Sequence, residues 1–553
     1  MRKYLPHPVP LLFYITVLLL GMWVRLDQFL AQVLIDDEWH AVHQLILHKP
    51  RDILLSFGYA DHSIPLTLMY WLEASWFGLS ELGMRWPMML CGLATLLLFP
   101  LYVWRTLGQR EAILFALMLA ISPMLVIYSQ TARPYAVTLF LVYIAHFAFH
   151  RYCSNASHRF AYGALYGFSA VLATWLHLIA GPFVVAPFLY EGISMLRAKP
   201  SERGARLRQA LLLGLPTVAG MLLLVLPPLL ANSAMIRAKS GADSPNWQTI
   251  TGVWYSWIGT PSSTVILILL ALAIIGIPKL WRELFVVRSA LLGLALALSA
   301  ILIMQPAWVH HSITFGRYLL PAIPLLLLSV AAGTVRLADA FDRQRWQMRR
   351  YIMAAILFVP PLLLAVQTPL LNVLRRPNTN VTHSVYSFDF RPEHNLILKR
   401  FHKNVPLSAY WSQLATLPHG SLRIAVAPFY FESYNWDAPR WERNSRQTII
   451  PGYLSGLCSN LRPGEVPKIE FFKFRNAVFL NDLVDISAHK INLIVYQKPY
   501  MVMEDDGTKH IMGEDTSHCE RVMRTRFGTP QYEDDKILVF PIISAGITLS
   551  YAE

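Results

Sequence analysis

Apolar runs long enough to cross a bilayer recur along the first two thirds of the chain, and no other feature restricts its fold as much. A spanning helix needs about 20 mostly apolar residues. Such runs occur at Pro10–Val24, Pro87–Trp104, Ala112–Tyr128, Tyr135–Phe149, Ala210–Leu230, Val265–Ile277, Ala290–Met304, Tyr318–Val335 and Ile352–Leu371. A further stretch, Phe160–Leu196, divides into two spans at a hairpin near "TWLHLIAGP", with Trp175 and His177 at its tip. The pattern predicts about eleven spans. Only 15% of residues are charged, against about a quarter in soluble domains. The charged start of the first run is followed by too many other runs to be a cleaved signal peptide, so it is expected to be an anchor.

Lys and Arg are split unevenly between alternate loops. With the N-terminus inside, the inner loops carry 19 and the outer side of the membrane half carries 8, although the outer loops are longer. This is the positive-inside bias. It predicts a cytoplasmic N-terminus and, with an odd number of spans, a tail on the outer side. The net charge of +14 is mostly this topogenic charge. No zinc-finger spacing or basic helix accompanies it, so a lipid bilayer is expected as partner and nucleic acid is not.

After Leu371 the composition changes. A polar linker, "RRPNTNVTHS", leads into a tail with 21 basic and 19 acidic residues and no spanning run. The expected division is a membrane domain over residues 1–374 and an extracytoplasmic α/β domain over 375–553. In the tail, "RIAVAPFYF", "INLIVYQ" and "KILVFPI" read as strands, and "NLILKRFHKN" and "SAYWSQLATL" as helices. Cys458 and Cys519 both fall there, and a disulfide and two free thiols are both open. Cys91 and Cys153 lie in a span and an inner loop and should not pair.

The first outer loop, about residues 27–83, holds eight of the membrane half's 15 acids. "DDEWHAVHQLILH" sets Trp39, Val42, Leu45 and Ile46 on one helical face, as in an interfacial amphipathic helix. "SIPLTLMYWLEASWFGLS" is a second apolar helix. It contains Glu73, which needs a partner, and counting it as a span would invert every later loop, so a re-entrant or juxtamembrane helix is expected.

Three outer-side segments bring ionisable groups to one membrane face. They are "DDEW" with "DHSIPL" (Asp61–Leu66), "SQTARPYAV" (Ser129–Val137) and "QPAWVHHSITFGRYLLPAIP" (Gln305–Pro324). Carboxylates beside arginines at that depth suit a reaction between a water-soluble nucleophile and a lipid-linked phosphate. The carboxylate accepts a proton, and Arg neutralises charge on the departing phosphate.

At these residues the chain resembles the GT-C class of integral-membrane glycosyltransferases, in particular bacterial relatives of protein O-mannosyltransferases and of the lipid A aminoarabinose transferase. The likeness covers roughly residues 10–370. It rests on Asp37-Glu38 after the first span, on "PLTLMYWLEASWFGLSELGMR" (Pro65–Arg85), on "RTLGQREAILFALMLAISPMLVIYSQTARPYA" (Arg105–Ala136) and on "GRYLLPAIPLLLL" (Gly316–Leu328). The resemblance implies a bacterial inner-membrane enzyme. It would transfer a sugar, with inversion, from a polyprenyl-phosphate donor to a hydroxyl of a glycan, lipid or protein acceptor at the outer face.

The resemblance implies Asp37 as general base with Glu38 beside it. Arg317 would hold the carrier phosphate, and Arg133 and Tyr135, in the "ARPY" motif, would lie near donor or acceptor. Asp61, His62 and His311 complete the candidate binding set. The aminoarabinose transferase group has a Lys directly before the Pro of the re-entrant helix, where this chain has Ile64; His62 mirrors a His found nearby in other members. No cofactor is expected: no His/Cys cluster has metal-ligand spacing, and no Walker-type or G-x-G-x-x-G loop occurs. Two other classes stay open, a transporter and a membrane-anchored protein whose exported domain binds envelope glycans.

Overall fold

The structure is a computed structural model that describes residues 8–26, 29, 38–57, 63–76, 79, 81–154, 157–260, 262–342, 349–367, 407–429, 438–465, 477–503, 509–512 and 517–542. The described part of the membrane half is helical. Its helices are α1 (Pro8–Leu26), α2 (Trp39–Leu47), α3 (Pro50–Leu54), α4 (Ile64–Trp76), α5 (Glu81–Thr106) and α6 (Gln109–Ile121). They continue as α7 (Pro123–Gln130), α8 (Tyr135–Ser154), α9 (Arg159–Leu176), α10 (Ala180–Arg197), α11 (Pro200–Ala231) and α12 (Ser233–Lys239). The last six are α13 (Trp247–Ile258), α14 (Ser263–Glu283), α15 (Phe285–Met304), α16 (Ser312–Tyr318), α17 (Ala322–Asp342) and α18 (Arg349–Gln367).

Among the described residues, six helices are long and apolar enough to cross a membrane, or seven if α6 and α7 form one broken span. The apolar runs predict about eleven; α1, α9, α10 and α18 follow the remaining runs but are shorter or more polar. The run from Phe160 divides where expected, between Leu176 and Ala180. In the first outer loop, α2 buries Val42 and Leu45, the apolar face its spacing calls for. Helix α4 is only 13 residues long, about 20 Å at 1.5 Å per residue, too short to span.

One expected span is broken. The run Ala112–Tyr128 bends by 57° between α6 and α7. Pro123 has no N–H to give to the Leu119 carbonyl and forces Ser122 into extended backbone (φ −65°, ψ 117°). The carbonyls freed at the break are met by a charge. Arg25, 2% exposed, donates from Nη2 to Leu119 O at 2.9 Å and from Nη1 to Ala120 O at 3.1 Å. A broken helix in a bilayer persists only where other groups satisfy its backbone, and here the end of α1 does so.

Elsewhere, helices α14 and α17 are held in close backbone contact. A Cβ on Gly333 of α17 would come within 1.8 Å of Leu272 O on α14, and one on Gly276 of α14 within 2.0 Å of Ser329 O on α17. Small residues let helices approach this closely where lipid supplies no hydrophobic drive between them. Gly333→Val should lower the stability of the detergent-purified protein by about 1–3 kcal/mol. Thermal unfolding checks this, and an unchanged midpoint would mean that the helices are not in such contact.

Charged side chains sort by side. Arg110 pairs with Asp339 at 2.8 Å, Lys279 with Glu111 at 2.5 Å, and Arg206 with Glu191 at 3.4 Å, all from loops or helix ends that the charge bias assigns inside. Arg85 with Glu38 and His310 with Asp243 join loops assigned outside. Each pair links segments from the same side.

The tail carries a six-stranded sheet in the order β3-β2-β1-β4-β8-β7. Its strands are β1 (Arg423–Ala427), β2 (Thr448–Tyr453), β3 (Val478–Phe479), β4 (Leu493–Gln497), β7 (Tyr532–Glu533) and β8 (Ile537–Pro541), with β5 (Tyr500–Met503) and β6 (Lys509–Met512) forming a separate hairpin. Strands β1 to β4 run parallel and β8 and β7 antiparallel. The three expected strand runs are β1, β4 and β8. Strands β1, β4 and β8 are buried almost end to end, which gives apolar runs rather than alternation. "SAYWSQLATL" contains a helical turn at Tyr410–Gln413, and "NLILKRFHKN" lies outside the described residues. Cys458 and Cys519 are disulfide-bonded, which decides the alternative left open by the sequence.

Candidate active site

One end of the helical half brings two of the expected segments, those carrying Arg133 and Arg317, to one tyrosine. Tyr135 opens α8 directly after "TARP". The Arg133 guanidinium carbon lies 5.9 Å from the centroid of its ring, and that of Arg317 lies 5.5 Å from it. Two arginines from loops far apart in sequence therefore meet over a single ring, no farther from each other than those two distances combined. Arg133 is 4% exposed and Arg317 half-buried. A cation over an aromatic face gains from the ring's quadrupole, more so when desolvated.

Each arginine is fixed by its own scaffold. Arg317 rides on the short helix α16, which packs on α13: Trp257 donates from Nε1 to Gly316 O at 3.2 Å. Gly316 also lies against the Trp257 ring, where a Cβ would come within 3.3 Å of Nε1. Where α16 gives way to α17, Tyr143 of α8 donates its hydroxyl to Pro321 O at 2.8 Å. Arg133 sits in the buried link between α7 and α8, held by Thr131 Oγ1 donating to Ile127 O at 2.8 Å and Gln130 Nε2 donating to Arg25 O at 2.5 Å.

Glu38 braces the same link. It occupies the cap position of α2 but makes no capping bond; the carboxylate turns to Arg85 instead. Arg85 donates from Nε to Oε1 at 2.8 Å and from Nη2 to Oε2 at 2.7 Å. The backbone N–H of Ala132, next to Arg133, donates to Oε1 at 2.7 Å. Both partners are buried, Glu38 at 1% and Arg85 at 1% exposure. The sequence assigns Glu38 a catalytic part beside Asp37; in the structure both its oxygens are engaged by these three bonds. Its geometry fits a different task, fixing the backbone that carries Arg133. Glu73, the other acid needing a partner, packs against the backbone of Gly83, where a Cβ would collide with its carboxylate.

Asp37, Asp61 and His62 lie outside the described residues. His311 is described, at the N-cap of α16. Burial, and then the charges of His310 and Arg317, hold it below the ordinary histidine range. Sequence reasoning missed Arg85 as an ion-pair partner and His177 as a neighbour of the arginines. The His177 ring lies 5.4 Å from that of Tyr135 and 5.2 Å from that of Tyr318. The signal for Arg85 was available: an arginine opening a span on the outer side runs against the charge bias and calls for a partner.

A small cavity among Tyr135, Thr138, His177, Arg317 and Tyr318 opens beside the arginines. A larger apolar one, about 370 Å³, lies along the other half of α8, lined by Phe99, Tyr102, Tyr143 and Phe147 with Arg105 and Arg151 at its edge. Arg317 lines the small cavity, and Arg133 is buried near the same ring; a guanidinium in such a largely dry setting can bind an oxyanion through charge and directed N–H donors. Among the described residues, no group of three or more His, Cys, Asp or Glu side chains is arranged to hold a metal ion.

No protein family's sequence profile matches the chain, and no curated protein does. The chain is similar over most of its length to solved structures of GT-C enzymes. ArnT from Cupriavidus metallidurans bound to undecaprenyl phosphate aligns with TM-score 0.43 and 14% identity, over 92% of this chain and 98% of that one. The oligosaccharyltransferase AglB from Archaeoglobus fulgidus, with an inhibitory peptide and a dolichol-phosphate, aligns with TM-score 0.39 and 12% identity, over 93% and 75%. The Archaeoglobus fulgidus oligosaccharyltransferase tethered to an acceptor peptide containing the NVT sequon aligns with TM-score 0.44 and 12% identity, over 92% and 74%.

Proposed function

We propose that this protein is a polytopic glycosyltransferase of the bacterial inner membrane. It moves a sugar, with inversion, from a polyprenyl-phosphate carrier to an acceptor hydroxyl at the outer face. The observation that carries this is the meeting of Arg133 and Arg317 over Tyr135. Phosphate leaving from the anomeric carbon builds negative charge on one oxygen. Two preset guanidiniums in a low-dielectric site stabilise that charge without reorganising. The apolar cavity along α8 supports the same reading, because a carrier with a charged head and a hydrocarbon tail needs both environments on one helix.

Asp37 is the general base. It deprotonates the acceptor hydroxyl, whose oxygen attacks the anomeric carbon as the bond to the phosphate oxygen breaks. Glu38, next to Asp37 in sequence, accepts from the Ala132 N–H in the link bearing Arg133. The acceptor, a glycan, lipid or protein, is left open by the helical half. The exported tail is the part that would recruit it. A transporter would gather ionisable groups at mid-membrane in repeated halves, and the Arg133–Arg317 pair is at one end.

The test is transfer of labelled sugar from a polyprenyl-phosphate donor by purified protein. The wild type should transfer, and Asp37→Asn should be slower by about 100- to 10,000-fold. Transfer undiminished in Asp37→Asn would overturn the assigned base. Absence of transfer from every polyprenyl-phosphate sugar would overturn the enzyme.

A further inference from the structure

The loop between α15 and α16 is the most strained described segment of the helical half. Gln305 (φ 45°) and Trp308 (φ 66°) both adopt left-handed backbone, which is uncommon for a non-glycine residue and a clear outlier for one as bulky as Trp. Such strain persists only where surroundings impose it, and it gathers at functional sites. Here the loop is clasped to the segment after α12. Gly241 N–H donates to Met304 O at 2.9 Å, Ala242 N–H to Gln305 O at 3.1 Å, and Ala307 N–H to Lys239 O at 2.9 Å. Thr249 Oγ1 of α13 donates to His310 O at 2.6 Å.

The clasp presents a flat aromatic face with polar groups at its edge. Trp308 is 64% exposed. Its ring lies beside that of His311, with centroids 5.7 Å apart and planes 15° from parallel, and near that of His310 at 6.4 Å. His310 lies against His311, ring centroids 3.9 Å apart, and its Nδ1 is bonded to Asp243. Asp243 also accepts from the His310 N–H at 3.2 Å and the Ser244 N–H at 2.9 Å. Burial, the largest influence, raises the affinity of Asp243 for a proton, but its bonds and charge contact with His310 together win and hold its carboxyl below the usual range.

We infer that Trp308, with Asp243, His310 and His311, is a binding platform for one sugar ring of a saccharide acceptor. A pyranose has a C–H face that packs on an aromatic ring, and equatorial hydroxyls that need donors and acceptors at the ring's margin. An open indole with a carboxylate and two imidazoles beside it supplies both. A tryptophan that only anchors a protein in the interface needs neither left-handed backbone nor an adjoining carboxylate–imidazole hydrogen bond. The platform leads directly into α16, which carries Arg317, so a bound acceptor ring sits one short helix away from the proposed phosphate grip. This assignment rests on the proposed outer-face transfer for its purpose, but not for its test.

The experiment is saturation-transfer NMR on the full-length protein in detergent, with methyl glycosides of glucose, galactose, mannose and N-acetylglucosamine as probes. The expected result is transfer to the C–H protons of at least one glycoside. Affinity should fall about tenfold in Trp308→Ala, the effect of roughly 1.4 kcal/mol, and less in Trp308→Phe, which keeps a ring. Asp243→Asn should weaken binding without abolishing it. No saturation with any probe, or equal binding in Trp308→Ala, overturns the platform. The latter result together with a Trp308→Ala melting loss confined to lipid nanodiscs would make the residue a membrane anchor. Glycoside binding by a protein that transfers no sugar would overturn the proposed reaction and leave the platform standing.

Discussion

Arg317→Ala and Arg133→Ala should each lower kcat/KM for glycosyl transfer by about 100- to 1000-fold, the loss seen when one preset donor is removed from a developing oxyanion. The two guanidiniums converge on the Tyr135 ring, so neither can substitute for the other by a small shift. Arg317→Lys keeps the charge and loses the planar fork, and should recover only part of the activity. Tyr135→Phe keeps the aromatic face under both cations and should lose much less than Tyr135→Ala. Steady-state kinetics on protein with an unchanged melting temperature checks all five. Full activity in either alanine variant would remove that arginine from the site.

Arg85→Ala, in the first turns of α5, should be strongly destabilising, by about 3–5 kcal/mol. The loss is that large because it leaves the Glu38 carboxylate buried at 1% exposure without its counter-charge. Glu38→Ala has the mirror effect on Arg85 and also removes the acceptor of the Ala132 N–H. Replacing both by Met removes the buried charges together, which is often close to neutral for folding. That double variant should melt near the wild type yet transfer sugar poorly, since nothing then fixes the backbone beside Arg133. Thermal unfolding and kinetics on the same preparations separate the two effects. A double variant that is both stable and fully active would reduce the pair to a folding element.

Much of this architecture is legible in the sequence because the bilayer imposes a length on each helix and a sign on each loop. The ion pairs joining Arg110 to Asp339 and Lys279 to Glu111 follow sides assigned by counting Lys and Arg. The division of the run from Phe160 at its hairpin is equally plain. What hydropathy does not reveal is the break at Ser122–Pro123: "ILFALMLAISPMLVIY" is as apolar across the bend as beside it, and the carbonyls that Pro123 frees are satisfied by Arg25, nearly a hundred residues earlier. The same holds at the site. "ARPY" and "GRY" single out Arg133 and Arg317, but no local pattern says that both will lie over Tyr135, or that Glu38 will be drawn to Arg85. Those are choices between competing long-range partners, settled by burial. In the tail, β1, β4 and β8 were readable as apolar runs, whereas the two-residue strands β3 and β7 carry too little sequence to register.

The central claim is that Arg133 and Arg317 act on one phosphate. A double-mutant cycle on the binding of polyprenyl phosphate to purified protein measures this directly, using wild type, Arg133→Ala, Arg317→Ala and the double variant. Two arginines on one oxyanion share a partner, so the losses should be non-additive, with a coupling of about 0.5–3 kcal/mol. Affinity unchanged in either single variant, or losses that add to within about 0.3–0.5 kcal/mol as they do for independent sites, would contradict it.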